Sequence, residues 1–272
     1  RKLASVETLG SVTTICTDKT GTLTQNQMTV TKLWVDGQFV DITGTGYEPV
    51  GDFYADGELI TDLKKYPAAR TALWVGTINN DAQLEPAGES EGKTTYRMVG
   101  DPTEGSILVA ALKAGAAANV VNDNYPRKQE IPFDSARKRM VTIHNIVNPG
   151  HGDISPYVTN EKTNWYTIAV KGAPDVVLNL CNFQSRMDNT PVPLTPELRQ
   201  QILNANDQMT GKALRVLGVA YRPVPEMPNE ITAEALEKDL IFVGLIGMID
   251  PSRPEVKPAL KEAQTAGIRS VM

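Results

Sequence analysis

The side chain with the clearest chemical potential in this sequence is Asp18, which lies in a threonine-rich loop. Residues 12–16 before it are β-branched and mostly apolar, which predicts a buried strand that ends just ahead of Asp18. Four residues follow whose hydroxyl and N–H groups could surround an anion: Lys19, Thr20, Gly21 and Thr22. A carboxylate beyond a strand's carboxyl end suits nucleophilic attack on a phosphoryl group. The alternative is a strand-ending Asx turn in which Asp18 caps local N–H groups.

Two further charged residues lie where strand patterns meet helix patterns. Lys171 ends the strand pattern 166–170 and precedes Gly172, so a cation and backbone N–H groups converge there, an arrangement that favours phosphate. A lone lysine at such a junction is otherwise usually solvent-facing. Glu104 closes the run Asp101-Pro102-Thr103-Glu104, which predicts a capping box for a helix to about residue 115. That capping role competes with a binding role for Glu104.

Cations cluster after an aromatic residue in the middle of the chain. Phe133 is followed by Arg137, Lys138 and Arg139 and then by the strand pattern 141–146. These cations are either the solvated face of an edge strand or a small anion site with a stacking ring. Further along, Arg215 interrupts an apolar strand pattern, where a charge is costly to bury without an anionic partner.

The elements that must position these residues differ between the ends and the middle of the chain. Asp36-Gly37 between β-rich runs predicts a hairpin over residues 28–42. Helices are expected over 67–79, from 174 to about 181, and from 196 to 210. Residues 240–249 read as a buried strand of the parallel type, and Ser252 with Glu255 predicts a capping box for a helix through 266.

This order indicates one α/β domain interrupted by a β-rich insertion. Residues 240–272 repeat the strand–turn–helix–strand order expected around residues 10–24. The expected domains are residues 1–27, 28–248 and 249–272, the first and last together forming one incomplete domain. Three segments are expected to be surface connections: residues 3–10, 147–164 and 222–237.

Composition excludes several classes of protein. The 272 residues are 41% hydrophobic and 22% charged, as in an ordinary globular protein. A net charge of −5 argues against nucleic-acid binding. Cys16 and Cys181 match no metal or redox spacing. The longest apolar run, 240–249, is about half the length that a bilayer-spanning helix needs.

The run from Asp18 to Met28, D-K-T-G-T-L-T-Q-N-Q-M, resembles the phosphorylation signature of P-type ATPases. Further motifs resemble that family in the expected order over essentially the whole chain. They are the residues 101–104, the segment 133–140, the K-G-A-P-D run at 171–175, the strand 213–215, and the D-P-S-R run at 250–253, where Ser252 replaces the second proline of a hinge motif.

The resemblance implies a fold and a set of functional residues. The fold is a partial haloacid-dehalogenase-like, Rossmann-like phosphorylation domain, interrupted by an inserted α+β nucleotide-binding domain with an antiparallel sheet. The implied nucleotide-binding residues are Glu104, Phe133, Lys138, Lys171, Gly172 and Arg215. The implied catalytic residues are Asp18, Lys19, Thr20, Thr22, Asp250 and Arg253. Mg²⁺ would be held by the Asp18 carboxylate and the Thr20 carbonyl, and hinges are expected near residues 26–27 and 250–253.

The resemblance also implies an activity: ATP binding and formation of an aspartyl phosphate at Asp18 in an ATP-driven cation pump. Related phosphatases carry a second aspartate two residues after the nucleophile, where this chain has Thr20, so the phosphoenzyme should persist. A haloacid-dehalogenase-type phosphatase is the alternative enzyme. A nucleotide-binding module without catalysis is the alternative for this chain by itself.

Finer expectations also come from the resemblance. The segments around Cys16, 43–51 and Phe133 look closest to calcium pumps of bacterial or secretory-pathway type, and sodium-pumping relatives are an alternative. The chain reads as an internal, monomeric piece of an integral membrane protein, on the cytoplasmic face. The transported cation would bind to transmembrane segments that this sequence lacks, as it lacks the T-G-D and G-D-G-x-N-D motifs of the family.

Overall fold

The computed structural model describes residues 10–90, 93–150, 154–157 and 159–272. Most of the predicted segment 3–10 therefore lies outside the described residues. The chain divides into two compact units. The first unit comprises the residues up to Gln27 together with Asp250–Met272, and the second comprises Met28–Ile249.

The strands of the described residues are β1 (Thr14–Cys16), β2 (Thr29–Val35), β3 (Gln38–Ile42), β4 (Phe53–Ala55), β5 (Glu58–Leu59), β6 (Gln83–Ser90), β7 (Lys93–Val99), β8 (Arg127–Asp134), β9 (Arg139–Asn145), β10 (Tyr166–Gly172), β11 (Cys181–Ser185), β12 (Pro191–Pro193), β13 (Arg215–Val224), β14 (Leu240–Ile249) and β15 (Arg269–Val271). The helices are α1 (Pro67–Ile78), α2 (Pro102–Lys113), α3 (Ala118–Asn124), α4 (Pro174–Asn179), α5 (Pro196–Thr210), α6 (Ala233–Leu236) and α7 (Val256–Thr265). Short 3₁₀ turns lie at Leu63–Lys65 and Asn160–Lys162.

The first unit is built on a parallel pair of strands, β1 and β15, with Thr14 opposite Arg269 and Cys16 opposite Val271. The helix α7 ends at Thr265, and Gly267 follows two residues later with a φ of +75°, which suits glycine, before the chain enters β15. Neither strand is buried, which contradicts the expectation of a buried strand before Asp18.

The predicted capping box at the start of α7 is wrong. The helix begins at Val256, and Glu255 before it makes no side-chain capping hydrogen bond. Ser252 forms instead an antiparallel bridge with Thr24. The pairing of this segment with the loop after β1 takes up Ser252, so a capping geometry is not available to it.

The second unit contains a large sheet, and its hairpin was correctly predicted. Strands β2 and β3 pair antiparallel around Asp36 and Gly37, whose φ values of +45° and +82° fit a tight primed turn. Eleven of the described strands join this sheet in the order β5-β4-β3-β2-β14-β13-β10-β9-β8, with β11 and β12 attached beside β14. The hairpin of β6 and β7 forms a separate sheet of two described strands.

The strand β14 is buried as expected, but its predicted parallel setting is wrong. It pairs antiparallel with β13 and β2, and parallel only with the short strand β11. An all-apolar sequence reports burial on both faces and carries no information on strand direction. Consequently β14 belongs to the sheet of the second unit, and the expected repeat of the first domain does not begin at residue 240.

Helices cover both faces of the large sheet. One buried cluster joins α1, α2 and α3 to one face and includes Trp74, Ile107 and Ile246. A second joins α4 and α5 to the other face and includes Ile202 and Phe242. The spacing of Leu198, Ile202, Ala205 and Met209 predicts a buried stripe on α5, and the last three are buried while Leu198 is partly exposed. The mixed helix and strand architecture with an antiparallel sheet is thus as expected for the insertion.

Several expected surface segments are partly buried. In the segment 147–164, Ile154, Ser155 and Tyr157 are buried, while residues 151–153 and 158 lie outside the described part. The segment 222–237 contains α6 and ends in the buried pair Leu236 and Glu237. Local composition predicts exposure for both segments. The Tyr157 ring and the Glu237 carboxylate are nevertheless buried, because they contact residues of distant elements.

No single helix in the described ranges is long and apolar enough to cross a bilayer. The helices α2 and α3 pass a test of length and composition only when taken together, and they are bent by 90° relative to each other.

Candidate functional site

The Asp18 loop follows β1 as a wide turn. The N–H of Thr24 donates to the carbonyl of Lys19 at 3.1 Å, which closes the turn, and Gly21 inside it has a φ of +76°. The Asp18 side chain is exposed, as are those of Lys19, Thr20 and Thr22. One Asp18 oxygen accepts the N–H of Lys19 at 2.7 Å. The local turn of the alternative interpretation is therefore present, and it leaves the carboxylate accessible to a reactant.

Asp250 and Arg253 hold the shape of this loop through hydrogen bonds. The Asp250 carboxylate accepts the hydroxyl of Thr24 at 2.6 Å and the N–H of Gln27 at 3.2 Å. Arg253 donates from Nε to the Thr24 carbonyl at 3.1 Å and from Nη2 to the Gly21 carbonyl at 3.0 Å. These contacts go to the Thr24 hydroxyl and to the loop backbone, and within the described part of the chain neither Asp250 nor Arg253 forms a hydrogen bond or ion pair with the Asp18 carboxylate. The geometry gives Asp250 and Arg253 a positioning role.

The oxygen atoms near Asp18 are enough for a metal ion only when other ligands, such as water or a substrate phosphate, also bind it. The described residues hold no cluster of three or more His, Cys, Asp or Glu side chains suited to a metal ion. The predicted ligands are one carboxylate, that of Asp18, and one carbonyl, that of Thr20. Because Mg²⁺ retains water and is commonly bound by one or two carboxylates plus substrate phosphates, these two oxygens are compatible with it.

In the second unit, Lys171 is buried and paired. Its ammonium lies 2.8 Å from the Glu104 carboxylate and also donates to the carbonyl of Asn79. Burial lowers the pKa of Lys171, and the nearby Glu104 charge opposes that shift. The solvent-facing alternative for Lys171 is therefore wrong.

Glu104 does not close the predicted capping box. Asp101 does cap α2, accepting the N–H of Thr103 at 2.7 Å, but the other Glu104 oxygen accepts the N–H of Asp81 at 3.0 Å. Glu104 thus connects Lys171 on β10 with the turn after α1. The Glu104 carboxylate therefore lies among residues gathered from three parts of the second unit.

Sequence reasoning missed the turn that follows α1. The Asn79 side chain is fully buried and donates to the carbonyls of Met140 and Ala169, between β9 and β10. Arg127 pairs with Asp81 at 2.6 Å and donates to the carbonyl of Asn80. Cations at the carboxyl end of a helix are favourable. The only sequence signal was the polar run Asn79-Asn80-Asp81 after an apolar helix pattern.

Phe133, Lys138 and Gly172 lie on neighbouring parts of the sheet. Phe133, on the edge strand β8, is 64% exposed. Lys138 lies in the turn between β8 and β9 with a φ of +55°. A Cβ atom at Gly172 would lie 2.4 Å from the Lys138 carbonyl oxygen, so only glycine allows this approach.

Arg215 lies at the exposed start of β13, which corrects the expectation of a charge inside a strand. Its guanidinium donates to the Thr103 hydroxyl at 2.7 Å. Asp101 lies at the same helix end; burial raises its pKa, but hydrogen bonds from Thr103 and Glu104 and the Arg215 charge outweigh this, so that the net pKa is lowered.

The strand register gathers these residues at one end of the sheet. Gly172 lies opposite Arg139 on one side and Gly218 on the other. The carboxyl end of β10, the start of β9 and the start of β13 therefore coincide, next to the end of α1 and the start of α2. An exposed ring, a buried lysine paired with a partly exposed glutamate, and outward cations at one sheet end suit a planar, anionic ligand such as a nucleotide.

Comparison with known proteins agrees with this arrangement. Residues 69–255 match the family model described as P-type ATPase, cytoplasmic domain N. The whole chain is 39% identical to a calcium-transporting ATPase of Bacillus subtilis (strain 168) and covers 28% of it. It is 37% identical over its whole length to the cation-transporting ATPase pma1 of Synechocystis sp., covering 28%, and 36% identical to the calcium-transporting ATPase lmo0841 of Listeria monocytogenes, covering 26%.

The chain thus spans little more than a quarter of the length of these relatives. The family model covers most of the second unit, including Glu104, Lys171 and Arg215. On these grounds the chain belongs to the P-type ATPase family.

Proposed function

We propose that this chain is the ATP-binding and phosphorylated part of an ATP-driven cation pump, located at the cytoplasmic face of a membrane. The observation that carries the proposal is the cluster of Glu104, Lys171, Gly172 and Lys138 at one end of the large sheet. The family match makes a nucleotide the ligand that best suits this cluster. Residues 28–248 would form the nucleotide-binding domain, and residues 1–27 with 249–272 the haloacid-dehalogenase-like phosphorylation domain.

ATP would lie across the end of β10. Phe133 is exposed on the edge strand and would stack on the adenine, while Lys138 and Arg215 supply outward positive charge for the phosphates. Lys171 is already engaged by Glu104 and Asn79. Its role would therefore be to hold the Glu104 carboxylate at the wall of the site, with Gly172 allowing the close packing of the Lys138 turn.

Asp18 would accept the γ-phosphoryl group of ATP. A carboxylate oxygen forms a bond to the γ-phosphorus, the bond from that phosphorus to the β–γ bridging oxygen breaks, and ADP leaves with the electron pair. Lys19, Thr20 and Thr22 line the loop and would orient the phosphoryl oxygens, and Asp250 with Arg253 keeps the loop in shape. Mg²⁺, when bound by Asp18 and the Thr20 carbonyl, supplies neutralisation of phosphate charge.

Thr20 supports a pump over a phosphatase. It occupies the position where a phosphatase needs a second carboxyl group to protonate the leaving group and activate water. Two of the relatives are calcium-transporting ATPases, which favours calcium as the transported ion. A phosphatase predicts turnover of a simple phosphomonoester by this chain, and the proposed pump predicts none.

The nucleotide site is tested by calorimetric titration of this chain with ATP. Binding is expected with a Kd on the order of 0.1–1 mM. Phe133→Ala and Lys138→Ala should each weaken it about fivefold, since each removes an interaction on the order of 1 kcal/mol. Phe183→Ala is the matched control, because Phe183 is also exposed but lies on β11. Equal affinities of all four proteins would show that the nucleotide does not bind here.

Phosphorylation is tested in a longer protein that contains this chain. Acid-stable ³²P from ATP should label it, and Asp18→Asn should abolish the label, because an amide is a poor nucleophile. Asp56→Asn is the control: Asp56 is exposed with a φ of +51°, a conformation that asparagine tolerates. A label that survives Asp18→Asn would place the phosphoryl group on another residue.

A further inference from the structure

A buried carboxylate from a distant part of the chain holds the turn that carries Lys138. The Glu237 side chain is only 3% exposed, and one of its oxygens accepts from Arg137. The other accepts from Arg139, through Nη2 and through Nε at 2.8 Å. Arg137 and Arg139 are the two residues that flank Lys138, and they are 24% and 18% exposed.

The turn itself has an unusual backbone. Lys138 has a φ of +55°, which is disfavoured for a residue with a Cβ atom, so the surroundings must hold it. Its N–H donates to the Asp134 carbonyl at 2.6 Å, and its own carbonyl accepts the N–H of Ala173 at 3.0 Å. The turn is thereby joined directly to the backbone that follows Lys171 and Gly172.

Hydrogen bonds and burial hold the backbone around Glu237 in place. Its N–H donates to the carbonyl of Ala233 at 2.8 Å, Thr232 caps the short helix α6, and Leu236 beside it is fully buried. The carboxylate is therefore a fixed point for the two arginines. A buried ion pair of this kind stabilises little by itself, but it specifies one arrangement of the groups it joins.

The ion pairs with Glu237 also distinguish the three consecutive cations Arg137, Lys138 and Arg139 from one another. Arg137 and Arg139 are both ion-paired with Glu237, whereas Lys138 is exposed and has no ion-pair partner among the residues that the structure describes. The turn thus presents one free positive charge, in a fixed direction, at the sheet end that also carries Phe133 and Gly172.

We propose that Glu237 is a positioning residue of the nucleotide site. By holding Arg137 and Arg139 it maintains the left-handed turn that directs Lys138 toward the phosphates of the nucleotide. This inference rests on the proposed function of the site. Glu237 itself touches no ligand.

The direction in which Glu237→Gln changes the ATP affinity distinguishes a positioning role from a purely electrostatic one. Glu237→Gln removes a negative charge close to the site, which by Coulomb's law alone would strengthen binding of an anionic nucleotide. Positioning requires the opposite, about a fivefold weaker ATP affinity, within the range measured for coupled neighbours. Glu234→Gln is the matched control: the same charge is removed three residues earlier, from the short helix α6 that Glu237 directly follows, but Glu234 is exposed and should leave the affinity within about twofold.

A second measurement tests whether Glu237 acts through Lys138. In the Lys138→Ala background, Glu237→Gln should cause no further loss of ATP affinity, because the group it positions is gone. Without ATP, Glu237→Gln should accelerate hydrogen exchange at the amides of Lys138 and Ala173, whose hydrogen bonds define the turn. Arg137→Gln, which leaves Glu237 paired with Arg139, is the substitute if Glu237→Gln does not fold; about a twofold loss of affinity is expected.

Three results would overturn the proposal. They are tighter or unchanged ATP binding by Glu237→Gln, an equal loss in the Lys138→Ala background, and unchanged amide exchange. If the unmodified chain fails to bind ATP, the proposed function fails as well. Faster exchange with an unchanged Kd would instead leave the nucleotide site standing and remove only the role of Glu237 in it.

Discussion

The ammonium of Lys171 is engaged by groups of the protein itself. It is buried, it contacts the Glu104 carboxylate at 2.8 Å and it donates to Asn79. Removing either member of a buried pair leaves an uncompensated charge, which is more damaging than removing both. For this reason the effects of Lys171 and Glu104 substitutions are coupled, and neither by itself measures a contact with the nucleotide.

Another buried residue, His144, is uncharged in the folded protein. Its Nδ1 lies 2.8 Å from the carbonyl of Tyr125, which can only accept, so Nδ1 carries the proton of a neutral ring. Burial, reinforced by the charge of Arg127, lowers the pKa of His144 to about 3 from its ordinary 6.5. The unfolded chain therefore takes up this proton at a higher pH than the folded chain.

This difference predicts acid destabilisation. The stability due to neutral His144 is complete above pH 6.5 and is lost progressively as the pH falls from there toward 3. Between pH 7 and pH 5 the loss should be about 2 kcal/mol, measured as the free energy of unfolding in urea. His144→Asn, which retains a donor near Nδ1, should lose less than half as much over the same range. An equal pH dependence in both proteins would show that other groups cause it.

At the scale of elements, the end of β10 depends on close backbone packing. Gly172 lies opposite Arg139 in the ladder, and a Cβ atom there would lie 2.4 Å from the Lys138 carbonyl oxygen and 2.6 Å from the Arg139 Cβ. These atoms belong to the backbone or are attached directly to it, so they cannot move away as the end of a long side chain can. The same approach allows Ala173 to donate to Lys138.

Gly172→Ala should therefore separate the turn from the end of β10. We expect a loss of about 2 kcal/mol in the free energy of unfolding, together with ATP affinity at least about tenfold weaker, since Lys138 is displaced. Chemical denaturation and ATP titration measure the two effects. Gly10→Ala is the control, because among the described residues, its chain neighbours aside, no atom lies within 4 Å of the added Cβ, and the backbone is not left-handed. An unaffected ATP affinity would contradict the packing argument.

At the scale of the whole molecule, the two units differ in how much they bury. The two buried hydrophobic clusters formed by the described residues consist of residues between Val30 and Met248, within the second unit. In the first unit, β1, α7 and β15 contain no buried residue. Because burial of apolar surface is the main source of stability, the second unit holds most of it.

Residues 28–249 produced by themselves should therefore fold and bind ATP. We expect a melting temperature within a few degrees of that of the full chain, and a Kd for ATP within about twofold. Circular dichroism and calorimetry provide the two measurements, with the full chain as the reference. A piece that remains unfolded would show that its stability depends on the residues outside it.

Much of the local structure follows from the sequence alone. The Asp36-Gly37 turn, the Asp101 cap of α2, the buried stripe of α5 and the exposed Asp18 in a loop after a strand each depend on residues close together in the chain. Such signals are readable because turn, capping and periodicity preferences act over a few residues. The motif resemblance correctly identified the family for the same reason, since its motifs are short and continuous.

Only the tertiary structure decided which distant residues meet. Lys171 and Glu104 are 67 residues apart, Lys171 and Asn79 are 92 apart, and Glu237 and Arg139 are 98 apart. The direction of β14 and the burial of Glu237 in a seemingly exposed segment belong to the same class. Strand order and register bring these groups together, and an apolar or acidic stretch of sequence carries no record of the partner it will find.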